Sequence, residues 1–191
     1  MVVGDFIGWG ILATLVVYII VLHNNLVSLK HNISKAWANI DVLLKQRHDE
    51  LPKLVETCKQ YMQFEQETLE KVMAARNSVA QAQQQNDIPT LGQAEGALRL
   101  GLGRLFAVAE AYPGLKADTT FQHLQARITG LENAIADRRE FYNESVNVNN
   151  VRIEQFPDLI IARFFNLKAH SLLEFADHEL TDVNIKQLFD D

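Results

Sequence analysis

The sequence predicts an all-α protein, an antiparallel up-and-down four-helix bundle with an N-terminal transmembrane helix. Three observations predict it. Seventeen uncharged residues, Phe6 to Leu22, stand near the start of the chain. The apolar positions beyond them step by three and four, and no stretch shows the two-residue alternation of a strand.

The leading segment comes first. At about 1.5 Å per residue it just reaches across a hydrocarbon core of roughly 30 Å when its edge residues contribute. Asp5 stands on its outer side, Trp9 and Tyr18 fall where interfacial aromatics fall, and His23-Asn24-Asn25 ends the run. Phe6, Trp9, Leu15, Tyr18 and Leu22 are therefore read as the membrane anchor. A buried core helix is the competing reading, and the lack of an amphipathic stripe argues against it. A cleaved signal peptide needs a basic leader and a small-x-small exit, whereas this leader carries Asp5 and the exit is Val21-Leu22-His23. Lys30 and Lys35 follow the span with no acid before Asp41, so the positive-inside rule puts the body in the cytoplasm.

The chain then divides into an anchor over 1–23, a helical bundle over 24–168 and an acidic tail over 169–191. About 170 residues beyond the anchor suit one domain with its own core. The net charge of −6 is uneven: from His170 onward six acids face Lys186 alone. The body is thus near neutral and lacks the basic patch that nucleic-acid binding requires. Cys58 is the single cysteine, which excludes an internal disulfide, and at a helical seam position it reads as a small core residue.

Within the bundle, Ile33, Trp37, Ile40, Leu44, Leu51, Leu54, Cys58, Tyr61, Val72 and Val79 trace a heptad seam. Pro52 interrupts it, with Asp49 placed to cap a new helix, so a sharp kink or a full reversal is expected there; the reversal is favoured. The second helix runs to about Gln84. A third opens at Thr90, which forms a capping box with Gln93, and stops at Tyr112-Pro113-Gly114. Its Gly101 and Gly103 weaken it or admit a close neighbour; no strand precedes them, and P-loop spacing is absent. Thr119 and Gln122 form a second capping box, opening a helix whose face runs from Phe121 through Leu124, Ile128, Leu131, Ile135, Arg138, Tyr142, Val146, Asn149 and Ile153 to Phe156. Counted by reversals, this last helix returns toward the bilayer. The stretch from Leu159 to Phe165, with Ile160, Ile161 and Phe164, is too short to span; it either lies in the membrane interface or closes the end of the bundle.

The sequence resembles the LemA family of bacterial membrane proteins. The residues that carry the resemblance are Asn25-Leu26-Val27, Ala36-Trp37-Ala38-Asn39-Ile40-Asp41-Val42, Leu44-Lys45-Gln46-Arg47 and Asp49-Glu50-Leu51-Pro52-Lys53-Leu54-Val55-Glu56-Thr57. Later come the run from Arg104 through Ala109-Glu110-Ala111-Tyr112-Pro113, Leu115-Lys116-Ala117, Phe121, Leu124-Gln125, Glu132-Asn133, Tyr142-Asn143 and Phe156-Pro157. The resemblance covers about residues 24–165 and leaves the acidic tail outside. It implies an anchored four-helix bundle at the bacterial inner membrane and no established enzymatic activity. One branch of the family is associated with building magnetosome membranes, and members often neighbour membrane metalloprotease genes.

The sequence offers no catalytic, cofactor or metal site. None of the six histidines follows a glutamate by three residues, as bundle-borne metal sites require. His170, Glu174 and His178 share one face only if that segment is helical, and a solvated tail is the plainer reading. Nucleophilic catalysis by Cys58 would need a nearby base and an oxyanion donor, and the sequence offers Cys58 only at a seam position. Tyr112-Pro113-Gly114 has turn composition as much as that of a ligand loop. The register points Arg47, Glu65, Arg138 and Asn149 inward, as buried polar pairs or as a partner groove. The expected function is non-enzymatic: a scaffold that associates with itself and organises the lipid bilayer, a homo-oligomer. The alternative is an adaptor that presents a partner to a membrane enzyme such as a metalloprotease, with the acidic tail as bait.

Overall fold

The computed structural model describes residues 2–175, and among them every regular element is helical. The elements are α1 (Val2–Lys59), α2 (Gln66–Gln85), α3 (Ile88–Ala109), α4 (Pro113–Ala117), α5 (Thr119–Glu154) and α6 (Asp158–Phe164). Contacts group the described residues into two compact units, one built from residues 2–38 with 140–172 and the other from residues 39–139 with 173–175.

The expected reversal at Pro52 does not occur. α1 runs through that proline to Lys59, and the chain turns over residues 60–65 instead. A proline inside a helix has no N–H for the carbonyl four residues back, here that of His48. Arg76 of α2 supplies the missing donor: its Nε bonds the His48 carbonyl at 2.9 Å, and its Nη2 sits 2.6 Å from His48 Nε2. Burial, and then the Arg76 charge, hold the His48 imidazole below its usual value, favouring the neutral ring that accepts this bond. The proline is satisfied from the neighbouring helix.

Helix starts also differ from the expected capping boxes. Asn86, at φ 52°, closes α2 in the left-handed conformation asparagine tolerates. Asp87 then caps α3, accepting from Thr90 N at 3.1 Å and from the Thr90 hydroxyl at 2.7 Å. Asp118 caps α5, accepting from Thr120 N at 2.8 Å and Phe121 N at 3.0 Å. Both boxes fail because an aspartate stands before each threonine; a carboxylate is the stronger acceptor at a helix N-terminus.

In the unit from Asn39 to Arg139, α1 buries Ile40, Leu44, Arg47, Leu51, Leu54 and Cys58, steps of four and three along one face. α3 buries Leu91, Glu95, Leu98, Leu102, Leu105 and Ala109 with the same rhythm. α2 packs Leu69, Val72 and Val79 inward, and Gly101 of α3 stands where an added Cβ would meet Val72 at 3.4 Å, the close approach the glycine permits. Tyr61 is not on the seam; Met62 is buried in its place, and the Tyr61 hydroxyl donates to Asp118 at 3.0 Å.

The other unit is centred on Leu22 and Leu26 of α1, Ile153 of α5, and Ile161 and Ala162 of α6, with Leu29 and Leu167 against them. Trp37 and Tyr142 pack with ring centroids 5.7 Å apart. After α6 the chain is extended, and Asn150 holds it in both directions, donating to the His170 carbonyl at 2.9 Å and accepting from His170 N at 3.0 Å. The Tyr142 hydroxyl donates to the Ser171 carbonyl at 3.0 Å.

Candidate functional site

The polar residues that the register pointed inward separate on inspection. Arg47 is 1% exposed, and its partners are Glu95 of α3 and Glu132 of α5, the latter at 2.6 Å. Glu65 takes no part. It was placed on a seam because the second helix was expected to start near Pro52; with α1 continuing, Glu65 is the half-buried residue just before α2. Arg138 is exposed, and its neighbour Arg139 is the half-buried one, lying 3.9 Å from the Phe175 ring centroid. At 100° per residue, position 139 stands about 40° from Ile135 and position 138 about 60° the other way, so the face selects 139. Asn149 is buried, with its Nδ2 3.3 Å from Asn150 Oδ1.

Glu95 and Glu132 are the site residues that sequence reading missed. The signal was present for Glu95, a lone acid between Leu91 and Leu98 on the α3 seam. Burial pushes the Glu95 carboxyl up against the pull of Arg47, while Glu132 adds repulsion. Arg47 keeps its charge between two carboxylates despite its burial. The triad ties α1, α3 and α5 together; its arginine is too enclosed to meet a ligand.

Cys58 is fully buried, and burial pushes its thiol up to about 12. A thiol held protonated at neutral pH is not a nucleophile. His170 and Glu174 lie in the extended segment after α6, so they do not share a helical face, and His178 falls outside the described residues. No group of three or more His, Cys, Asp or Glu residues among the described residues is arranged to hold a metal ion. The Glu174 carbonyl instead passes over Gly92 of α3 so closely that an added Cβ would stand 1.9 Å from it. Leu173 beside it is buried. The start of the expected acidic tail is therefore part of the packed structure.

The apolar segment of α1 has the reverse character. Phe6, Trp9, Leu15 and Tyr18 are all more than half exposed, and the helix is long and apolar enough to cross a membrane. Leu22 is the exception among the anchor residues: it is buried, against Ile153, Ile161 and Ala162. α6 divides in the same way. Ile161 and Ala162 turn inward and Leu159 is half-buried, while Ile160, Phe164 and Phe165 face out. Phe156, just before α6, is 81% exposed. The most exposed of these, Phe156, Ile160 and Phe164, recur every four residues.

A model of the LemA family matches residues 36–186, running through the segment that the sequence set apart as a tail. Stretches of 64 residues are 38% identical to the magnetosome proteins MamQ 1 and MamQ 2 of Paramagnetospirillum magneticum (strain ATCC 700264 / AMB-1). A stretch of the same length is 36% identical to the magnetosome protein MamQ of Magnetospirillum gryphiswaldense. Each match covers 34% of this chain and 24% of the relative, so the chain matches about a quarter of the length of these relatives. With the family pattern covering residues 36–186 of a 191-residue chain whose described elements are all helical and begin with a long apolar helix, the protein belongs to the LemA family.

Proposed function

We propose that this protein is a non-enzymatic scaffold of the bacterial inner membrane. One N-terminal span anchors it, an antiparallel up-and-down four-helix bundle forms its cytoplasmic body, and copies associate to organise the bilayer around them. One observation carries the reading. The apolar stretch of α1 is left uncovered by the protein, yet it continues without a break into packed helix. Leaving so many large apolar side chains in water is unfavourable at about 25 cal/mol per Å², so lipid is their natural solvent. An antiparallel pairing of α1 and α5 is supported by Leu26 meeting Ile153 in one core while Trp37 meets Tyr142. The relatives named magnetosome proteins support a membrane role.

A second reading, the adaptor for a membrane enzyme such as a metalloprotease, draws on a different surface. Phe64 in the α1–α2 turn is 93% exposed, and its chain neighbour Gln63 lines a cleft of about 310 Å³ together with Val55, Met62, Leu69 and Met73 and the polar Lys59, Gln66 and Glu70. A cleft that sets flexible methionines among charged and polar side chains can accommodate varied partner side chains.

Alkaline carbonate extraction of membranes, followed by mass measurement of the full chain in detergent at several concentrations, tests the scaffold. Retention in the pellet and a particle heavier than one 21.7 kDa chain are expected. Release by carbonate, or a strict monomer at every concentration, rules it out. Crosslinking in cells that captures one dominant different protein, lost on Phe64→Ser, would select the adaptor instead.

A further inference from the structure

A cleft of about 260 Å³ opens in the unit that contains the apolar end of α1. Lys30 of α1 lines it with Lys168 and His170 of the extended segment, all three exposed. Asn149 of α5 also lines it and is 3% exposed, and Phe165 and Leu167 give it an apolar wall. No carboxylate lines the cleft. Among the described residues none pairs with Lys30 or Lys168, although the protein carries more acids than bases.

Its depth relative to the apolar segment can be placed along α1. Leu22 and Leu26 lie in the same small core as Ile161 and Ala162, while Ile160 and Phe164 of that short helix stay exposed. The unit therefore presents an apolar surface beside the end of the span. Lys30 stands eight residues beyond Leu22, the last residue of the apolar run, about 12 Å along a helix axis, and as an exposed lysine its flexible side chain can reach back toward the bilayer. The headgroup layer adds roughly 5–7 Å to each side of the hydrocarbon core. With the lysine side chain reaching back toward the bilayer, the cleft brings Lys30, Lys168, a buried amide and an apolar wall within range of the layer where lipid phosphates lie.

We propose that this cleft binds the phosphate of an anionic bilayer phospholipid. Lys30 and Lys168 pair with the phosphate, Asn149 has a second amide hydrogen to donate to its oxygen, and Phe165 packs on the first carbons of the acyl chain. The proposal rests on the reading that α1 is embedded in the bilayer. It adds a chemical reason for the body to sit against the lipid surface in one orientation rather than swing from its anchor.

Native mass spectrometry of the full chain, purified in mild detergent and offered equal amounts of phosphatidylglycerol and phosphatidylcholine, provides the test. Two lysines near an anionic surface correspond to a preference of about thirtyfold for phosphatidylglycerol. Lys30→Gln with Lys168→Gln should reduce it to less than about threefold. Lys30→Arg with Lys168→Arg should keep it. Both lysines are exposed, so the glutamine variant should keep the wild-type helical circular dichroism. An undiminished preference in that variant overturns the site, as does displacement of the retained lipid by millimolar inorganic phosphate, which would mark a soluble-anion pocket. Carbonate extraction of the same variants separates the two readings. Chains that wash off sink the anchor itself; chains that stay in the pellet with an unaltered lipid preference sink only the cleft.

Discussion

Arg47 occupies a seam position between Leu44 and Leu51, where periodicity expects an apolar residue, and two carboxylates converge on it. Removing the cation while leaving Glu95 buried is the damaging change, because an uncompensated interior charge costs about 3–5 kcal/mol. Arg47→Met should therefore lower the unfolding free energy of the full chain in detergent by about that amount at neutral pH. Replacing Arg47, Glu95 and Glu132 together with apolar residues should recover most of it. The pH dependence has a definite sign. Glu95 already titrates above its ordinary value near 4.5 because of burial, and loss of Arg47 removes the opposing pull. A carboxyl raised on folding stabilises fully below its unfolded value and loses that contribution as pH rises through the folded one. The deficit of Arg47→Met should accordingly shrink as pH falls toward 4.5. A deficit that is the same at pH 7 and in that acidic range would show that lost packing, rather than the stranded carboxylates, is responsible.

At the scale of the elements, the instructive residue is Pro52. Its local chemistry favours a break, and the prediction of a reversal follows from that chemistry alone. The outcome depends on Arg76, twenty-four positions away, which donates to the carbonyl the proline leaves open. Arg76→Met should cost about 1–3 kcal/mol by stranding that carbonyl. Pro52→Ala restores the helical N–H, so the Arg76 substitution should cost much less in that background. A double-mutant cycle of thermal unfolding reads the coupling directly, and additive effects would dissociate the two residues. Helix starts teach the same lesson at shorter range. Asp87 and Asp118 outcompete the threonines that follow them, and both were visible in the sequence one or more residues ahead of the boxes chosen.

For the whole molecule, the question is where lipid ends and protein begins. Leu22 belongs by composition to the apolar run, yet it is buried by α5 and α6, whereas Leu15 is half exposed. Leu22→Ala should lower stability by about 2–5 kcal/mol, the range for a truncated core leucine. Leu15→Ala should leave stability nearly unchanged, and both variants should remain in the carbonate-resistant pellet. Equal loss for the two leucines would place Leu22 in the lipid with the rest of the run. The extended segment after α6 likewise changes what counts as body. Asn150 and Tyr142 hold its backbone from α5, and the absent side chain of Gly92 lets Glu174 approach α3.

Periodicity and hydropathy by themselves determined the all-helical class, the apolar leading helix, most of the seam residues and the burial of Arg47 and Asn149. Those features depend on which residue types recur at which spacing, and spacing is a local property of the chain. Only the tertiary structure decided that α1 passes through Pro52, that Arg47 meets Glu95 and Glu132 rather than Glu65, that Arg139 turns inward instead of Arg138, and that Leu22 is core. Each of these depends on a partner supplied by another helix, and a hydrogen bond or a buried contact between distant residues leaves no periodic trace in either of them.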